Sequence, residues 1–409
     1  MSRSGRDQDV VVTGVGLATS AGIGVDATWK GVLAGQPTAR TNPDLAGLAV
    51  DFACQVHDLD PEAQLGANLA RRTDRYSQLA FVAGAEALSM AGLEPKDWDA
   101  RRVGVVIGTA LGGVTTLEDQ TLRVARNEPA SPFTIPMVAP NMLAGQLSLH
   151  WGARGPSFAT CTACASGATA IGLGTALLRA GVCDIVLAGG SDAPVNRVIT
   201  ASFARMGALS QRCQSPALAS RPFDAARDGF VMSEGAAVLV LERIEPASTR
   251  RAKALARIVG YGASADAHHL TSPHPQGVGL EDATMVALAQ ADAITADVDH
   301  VNAHATSTPK GDLAEAGLLA RLFGGRPTVT SAKGVLGHSM GGAGAIEAAL
   351  TALAISEQTV PPTANLDRLD PRIELDLVAG TARSQHIELA LSNSSGFGGQ
   401  NAVLALAPA

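Results

Sequence analysis

Four segments of the chain gather residue types that do chemistry. Residues 155–167 carry Cys161 and Cys164, with Cys164 just ahead of a run of small residues. A thiol at the entrance of a helix feels the positive end of its dipole, which favours thiolate, and small neighbours let a bulky thioester approach. A buried structural cysteine is the ordinary alternative. The Cys161/Cys164 spacing also suits a redox pair or half a zinc site, but no second Cys/His pair has zinc-site spacing. Residues 301–312 place His304, Thr306 and Thr308 in a loop after a short apolar stretch, ahead of a helix containing Glu315. Such strand-end loops carry active-site groups in α/β proteins, and the hydroxyls suit an amide-rich ligand. Residues 331–347 hold Lys333 and His338 and then an apolar helix with one acid, Glu347. A Glu on such a face needs a partner, and Lys333 is the nearest. The Walker spacing of a phosphate loop is absent. Residues 393–401 form a glycine-rich turn around Phe397 that can aim amide N–H groups into a site.

The surrounding pattern must position these groups. Short apolar runs at 10–12, 103–107, 184–188, 237–241, 328–330 and 402–406 predict buried strands. Between them, 77–91, 165–179, 282–293 and 342–353 have helical length and propensity. The fold class is therefore α/β, with strands covered by helices. The chain also echoes itself. Residues 170–177 resemble 345–352, an offset at which Cys164 faces Ser339, beside His338. Val12-Thr13-Gly14-Val15-Gly16 rhymes with Val259-Gly260-Tyr261-Gly262. The reading is a duplicated α/β unit, with halves 1–250 and 251–409 joined near 245–255, where the chain is polar.

The composition is that of a soluble globular protein: 409 residues, 46% apolar, 17% charged, net charge −7. No basic run interleaved with aromatics suggests nucleic acid. The five cysteines are irregularly spaced and suggest no disulfide framework. Residues 1–6 are a polar lead-in, and glycines break the Val-rich run that follows, so neither a signal peptide nor a membrane span is expected. The expected location is the cytoplasm, with no membrane partner.

Taken together, the segments resemble the β-ketoacyl-acyl carrier protein synthase family, in particular the elongating type II enzyme of bacterial fatty-acid synthesis. The resemblance runs from Val10 to Leu406 and includes residues 220–230. It implies a thiolase-like, five-layered αβαβα fold, usually dimeric. It matches Cys164 to the nucleophile, His304 and His338 to the two catalytic histidines, and Lys333 and Glu347 to the supporting pair. Phe397 matches the gating residue whose N–H joins that of Cys164 in the oxyanion hole. Thr306, Thr308 and Thr271 match pantetheine-binding residues, and Asp266 and His269 a second gate loop. Ala110, Leu111, Thr134, Phe203 and Ser395 fall at the acyl pocket. The implied reaction is decarboxylative condensation of a malonyl unit with an acyl chain on Cys164. No metal or redox cofactor is implied, since phosphopantetheine arrives on the acyl carrier protein.

The departures bear on substrate choice. Ala305 stands where the family usually has Gly, Ser395 where it has Phe, Thr134 where a Phe closes the pocket floor across the dimer, and Ala110-Leu111-Gly112 where it has Gly-Ile-Gly. Two lost rings imply a deeper acyl tunnel, as for a long, unsaturated or aryl-bearing chain in a polyketide or polyene pathway; neutral variation is the alternative. The partner subunit is an identical copy or a chain-length factor. A non-catalytic chain-length subunit would lack Cys164, a thiolase would carry a second cysteine near the C-terminus, and a carrier-binding scaffold would not acylate.

Overall fold

The computed structural model describes residues 9–409, so the polar lead-in at residues 1–6 lies outside it. Val10–Thr19 is a strand buried along its whole length, longer than its three valines predict. Gly14 and Gly16 extend it because the helix Arg75–Ala91 lies directly on them: a Cβ at either would strike the carbonyl of Ala87 or Ala83. The second half repeats the device. In the strand Ala256–Ala265, a Cβ at Gly260 or Gly262 would strike the carbonyl of Ala287 or Ala283, in the helix Val278–Gln290. The rhyme between the two glycine pairs is thus a repeated site of helix-on-strand contact.

The strand order repeats too. In the first half Ser157–Thr160, Val103–Gly108, Ile185–Asp192, Gly235–Arg243 and Val10–Thr19 lie side by side. In the second the order is Thr328–Thr330, His300–Asn302, Ala390–Gly396, Gln400–Ala407 and Ala256–Ala265. Numbered along the chain, both read third, second, fourth, fifth, first. In both, the first three are parallel and the last two antiparallel. The two first strands pair with each other through Val10, Val11 and Val12 and so join the halves. The short helix Ile244–Thr249 connects them.

Two apolar helices, Ser166–Arg179 and Ala343–Glu357, pack together between the halves, and thirteen of the fifteen residues of the second are buried. Strand side chains alternate accordingly. Ala237, Leu239 and Leu241 face the middle core with Ala402, Leu404 and Leu406. Ala236, Val238 and Val240 face the Arg75–Ala91 side, and Val403 and Ala405 the Val278–Gln290 side. The layers are α, β, α, β, α, the thiolase-like arrangement expected.

The middle helices touch through glycines. A Cβ on Gly167 would lie 2.7 Å from the Ala345 nitrogen, and one on Gly344 would lie 2.9 Å from the Ala168 nitrogen. Gly167→Ala is expected to destabilise by about 1–3 kcal/mol through overpacking. Gly317→Ala, on a helix face where nothing lies within 4 Å, should be neutral or gain up to about 1 kcal/mol. Urea midpoints of both variants check the contrast.

Candidate active site

The strand Ser157–Thr160 ends in a tight turn that forces Ala163 to a φ of +48° before the helix begins at Ser166. The Ser166 hydroxyl braces the turn, accepting from the Thr162 N–H at 2.9 Å and donating to the Ala163 carbonyl at 2.6 Å. Cys164 thus sits at the mouth of the middle helix. From the other half, His338 Nε2 lies 3.0 Å from Cys164 Sγ. The His338 backbone is pinned, its N–H to the Val231 carbonyl at 2.8 Å and its carbonyl to the Ser233 N–H at 3.0 Å. Phe230 meets its ring edge-on at a centroid distance of 5.5 Å. The His304 ring stands edge-on to His338 at 5.4 Å. The Lys333 ammonium pairs with the Glu347 carboxylate, both buried, directly behind.

Electrostatics follow from this packing. Burial, reinforced by the Lys333 charge, holds His304 and His338 well below the ordinary histidine range, so both are neutral at pH 7. Burial also pushes the Cys164 thiol up to about 12, against the opposing pull of Lys333 and of the Phe397 N–H. The standing thiolate expected from the helix entrance is therefore corrected: the resting sulfur is a thiol. Desolvation outweighs the dipole, and ionisation must be coupled to proton transfer to His338. Burial likewise raises Glu347, and Lys333 pulls it back.

Cys164 and both histidines line one cavity of about 690 Å³. Thr306 and Thr308, their hydroxyls 3.1 Å apart, share its wall with Thr271 and Asp266. Ala110, Leu111, Phe203 and Ser395 line it as well, and Phe397 stands beside Phe203 at 6.1 Å between centroids. Two residues named from the resemblance do not line this chain's own cavity: Thr134, expected to serve the pocket across the dimer, and His269, expected on the gate loop. Thr134 is absent from its own chain's cavity wall; its hydroxyl reaches Gln120 Oε1 and the Ser131 carbonyl. His269 shapes its own loop, its Nδ1 accepting the N–H groups of Thr271 and Ser272, while His274 reaches the cavity.

Comparison with known proteins agrees with this arrangement. Residues 7–247 match the model of the β-ketoacyl synthase N-terminal domain and residues 255–367 that of the C-terminal domain. The chain belongs to the β-ketoacyl synthase family. The 3-oxoacyl-[acyl-carrier-protein] synthase 2 of Synechocystis sp. is 40% identical over 405 residues, which is 97% of each chain. The ishigamide ketosynthase/chain length factor superposes with a TM-score of 0.92 at 33% identity, covering 98% of this chain and 99% of that one. A type II PKS acyl-carrier protein in complex with its ketosynthase bound to the hexaketide gives a TM-score of 0.89 at 31% identity over the same shares.

In this β-ketoacyl synthase, two buried carboxylates that sequence reasoning left without a role hold the site loops. Glu315 accepts the N–H groups of His304 and Ala305 at 2.9 and 2.8 Å, and the Asn393 amide at 3.1 Å. Asp192 accepts those of Ala110, Leu111 and Gly341 at 2.8, 3.2 and 2.7 Å, and the Thr109 hydroxyl at 2.6 Å. The signal for Glu315 was available: it is an acid on a largely apolar helix face, which it shares with the buried Asp312.

Glu315→Ala leaves two backbone donors without their acceptor, at about 1–3 kcal/mol each. It should lower turnover at least tenfold while leaving acylation of Cys164, seen by intact mass, largely intact. Because Lys333 depresses the histidines, Lys333→Met with Glu347→Gln should raise their proton affinity. The acid limb of the rate profile then moves to higher pH; an unmoved limb would show that the Lys333 field does not set it.

Proposed function

We propose that this chain catalyses decarboxylative condensation of malonyl-acyl carrier protein with an acyl chain carried on Cys164, lengthening it by two carbons. The reading rests on one juxtaposition: the Cys164 sulfur 3.0 Å from one neutral imidazole, with a second imidazole beside it, all three lining one cavity. His338 takes the thiol proton as the sulfur attacks the incoming thioester, and the proton leaves on the departing carrier thiol. The N–H groups of Cys164 and Phe397 receive the oxyanion, each worth about 3–4 kcal/mol by analogy with measured oxyanion holes. In the second half-reaction the carbon–carbon bonding pair released with carbon dioxide moves onto the malonyl thioester oxygen. His304 donates its Nε2–H to that enolate, and His338 does so once its ring proton has exchanged from Nδ1 to Nε2 through solvent between the half-reactions. Its carbon attacks the Cys164 thioester, the carbon–sulfur bond breaks, and the departing thiolate takes up a proton from solvent. Neutral rings suit this role, since an imidazolium pair so close would be mutually repelled. Thr306, Thr308 and Thr271 line the path of the carrier's phosphopantetheine arm, and no metal or redox cofactor enters the scheme.

The same reading calls for a second subunit. Helices Val114–Ala125 and Thr134–Val138 contain no buried residue. Ile135 is 72% and Leu149 81% exposed, and Ser157–Thr160 ends the sheet with one edge open. Uncovered apolar residues beside an open strand edge mark an association face. An identical copy fits it, and so does a chain-length factor. The cytoplasm is the proposed location; among the described residues no helix is long and apolar enough to cross a membrane.

Cys164→Gln should abolish acylation and chain extension while retaining malonyl decarboxylation, followed by mass spectrometry of carrier-bound products. Continued elongation by that variant would remove Cys164 as nucleophile. Ser395→Phe, filling the cavity wall, should narrow the range of acyl primers accepted in the same assay.

A further inference from the structure

The hairpin that carries Phe397 and the loop 266–274 rim one side of the cavity, and several hydrogen bonds tie them together. Two run through backbone alone: the Gly398 N–H donates to the Leu270 carbonyl at 2.7 Å and the Asp266 N–H to the Gly399 carbonyl at 2.8 Å. A third tie is built from side chains. Ser395 Oγ donates to Asn401 Oδ1 at 2.8 Å, and Asn401 Nδ2 donates to Asp266 Oδ1 at 2.8 Å, sharing its hydrogens with the Gly399 carbonyl at 3.2 Å. Asp266 Oδ2 then accepts the His274 N–H at 2.9 Å. Asn401 is buried, and among the described residues its amide oxygen has Ser395 as its donor.

We propose that Ser395 is a positioning residue of the condensing reaction. Its hydroxyl fixes the Asn401 amide, and through that amide it holds the 266–274 loop against the Phe397 hairpin, so that the cavity mouth beside Cys164 moves as one latched unit. The proposal rests on the reading of that cavity as the entrance for the carrier-bound substrate.

An amide side chain has nearly the same shape at both ends, so its orientation is set by what each end meets. Here the carboxylate of Asp266 calls for the NH₂ end, and the Ser395 hydroxyl satisfies the oxygen that this leaves facing the cavity wall. Without the hydroxyl, a buried acceptor is orphaned and the amide is held only through its nitrogen, by Asp266, the Gly399 carbonyl and, at 3.5 Å, Ser264 Oγ. Asp266 would then face a donor free to turn away, and the side-chain tie would give. The two backbone ties would remain, so the loops would loosen rather than unfold. The small Ser395 side chain does this without filling the space in front of the Phe397 and Phe203 rings.

The test uses the full chain in a Cys161→Ser background, because Cys161 is itself an exposed thiol on the cavity wall. Alkylation of Cys164 by iodoacetamide and by a bulky pyrenyl maleimide is followed by mass. Ser395→Ala should raise the maleimide rate relative to the iodoacetamide rate by about tenfold, the order expected from orphaning one buried acceptor. It should also raise KM for malonyl-carrier protein several-fold more than it changes kcat. Ser395→Thr, which keeps the hydroxyl, should restore both. An unchanged reagent ratio, equal acceleration of both reagents, or no rescue by threonine would overturn the latch. Failure of the unsubstituted chain to acylate Cys164 would instead overturn the functional reading, which the reagent ratio does not test.

Discussion

The close crossing of two helices governs the rest of the molecule. Gly167 and Gly344 let Ser166–Arg179 and Ala343–Glu357 approach until a single added methyl on either would strike the other's backbone. Cys164 lies just ahead of one helix and His338 just ahead of the other. The backbone separation at the crossing therefore sets the separation of sulfur and imidazole. Both helices are rich in alanine and glycine for the same reason: larger side chains would push the layers, and with them the reacting atoms, apart.

Dryness is the second determinant. Lys333, Glu347, Glu315, Asp192 and His338 are buried, and His304 is half-buried beside them, so the charges act at short range through protein. Under such conditions burial, reinforced by one lysine, keeps two imidazoles uncharged, and a helix mouth does not offset the burial of a thiol. Buried carboxylates are tolerated because each is met by donors: Glu315 and Asp192 by backbone N–H groups, Glu347 by Lys333.

Much of this was legible in the residues. The helix segments, most first-half strands and the internal echo could be read from apolar runs, and the Cys164, His304, Lys333, His338 and Phe397 segments meet in one cavity. The strands Ser157–Thr160 and Ala390–Gly396 escaped notice because they are rich in serine and small residues, whose burial depends on neighbours far away in sequence. The charge state of Cys164 was misjudged because dipole and spacing are local, whereas desolvation is a property of the assembled site. Thr134 stands off its own cavity wall, as a residue expected to serve the pocket across the dimer would. The tie from Ser395 to Asp266 was hidden for a similar reason, since it links positions 395, 401 and 266 only once the hairpin and loop are folded together.

The repeated strand order carries an implication for how work is shared. Thr109 and Ala303 each donate an N–H to the end of the neighbouring third strand, at Thr160 and Thr330, so the residues that follow them, Ala110 and His304, occupy matching stations. One station bears a methyl group and the other an imidazole, and each has its backbone clasped by a buried acid. At this station the first copy of the unit therefore leaves space where the second places an imidazole, and both side chains line the same cavity. Twin scaffolds thus present unlike side chains at matching stations of a single chamber, so duplication of the backbone has not meant duplication of the chemistry.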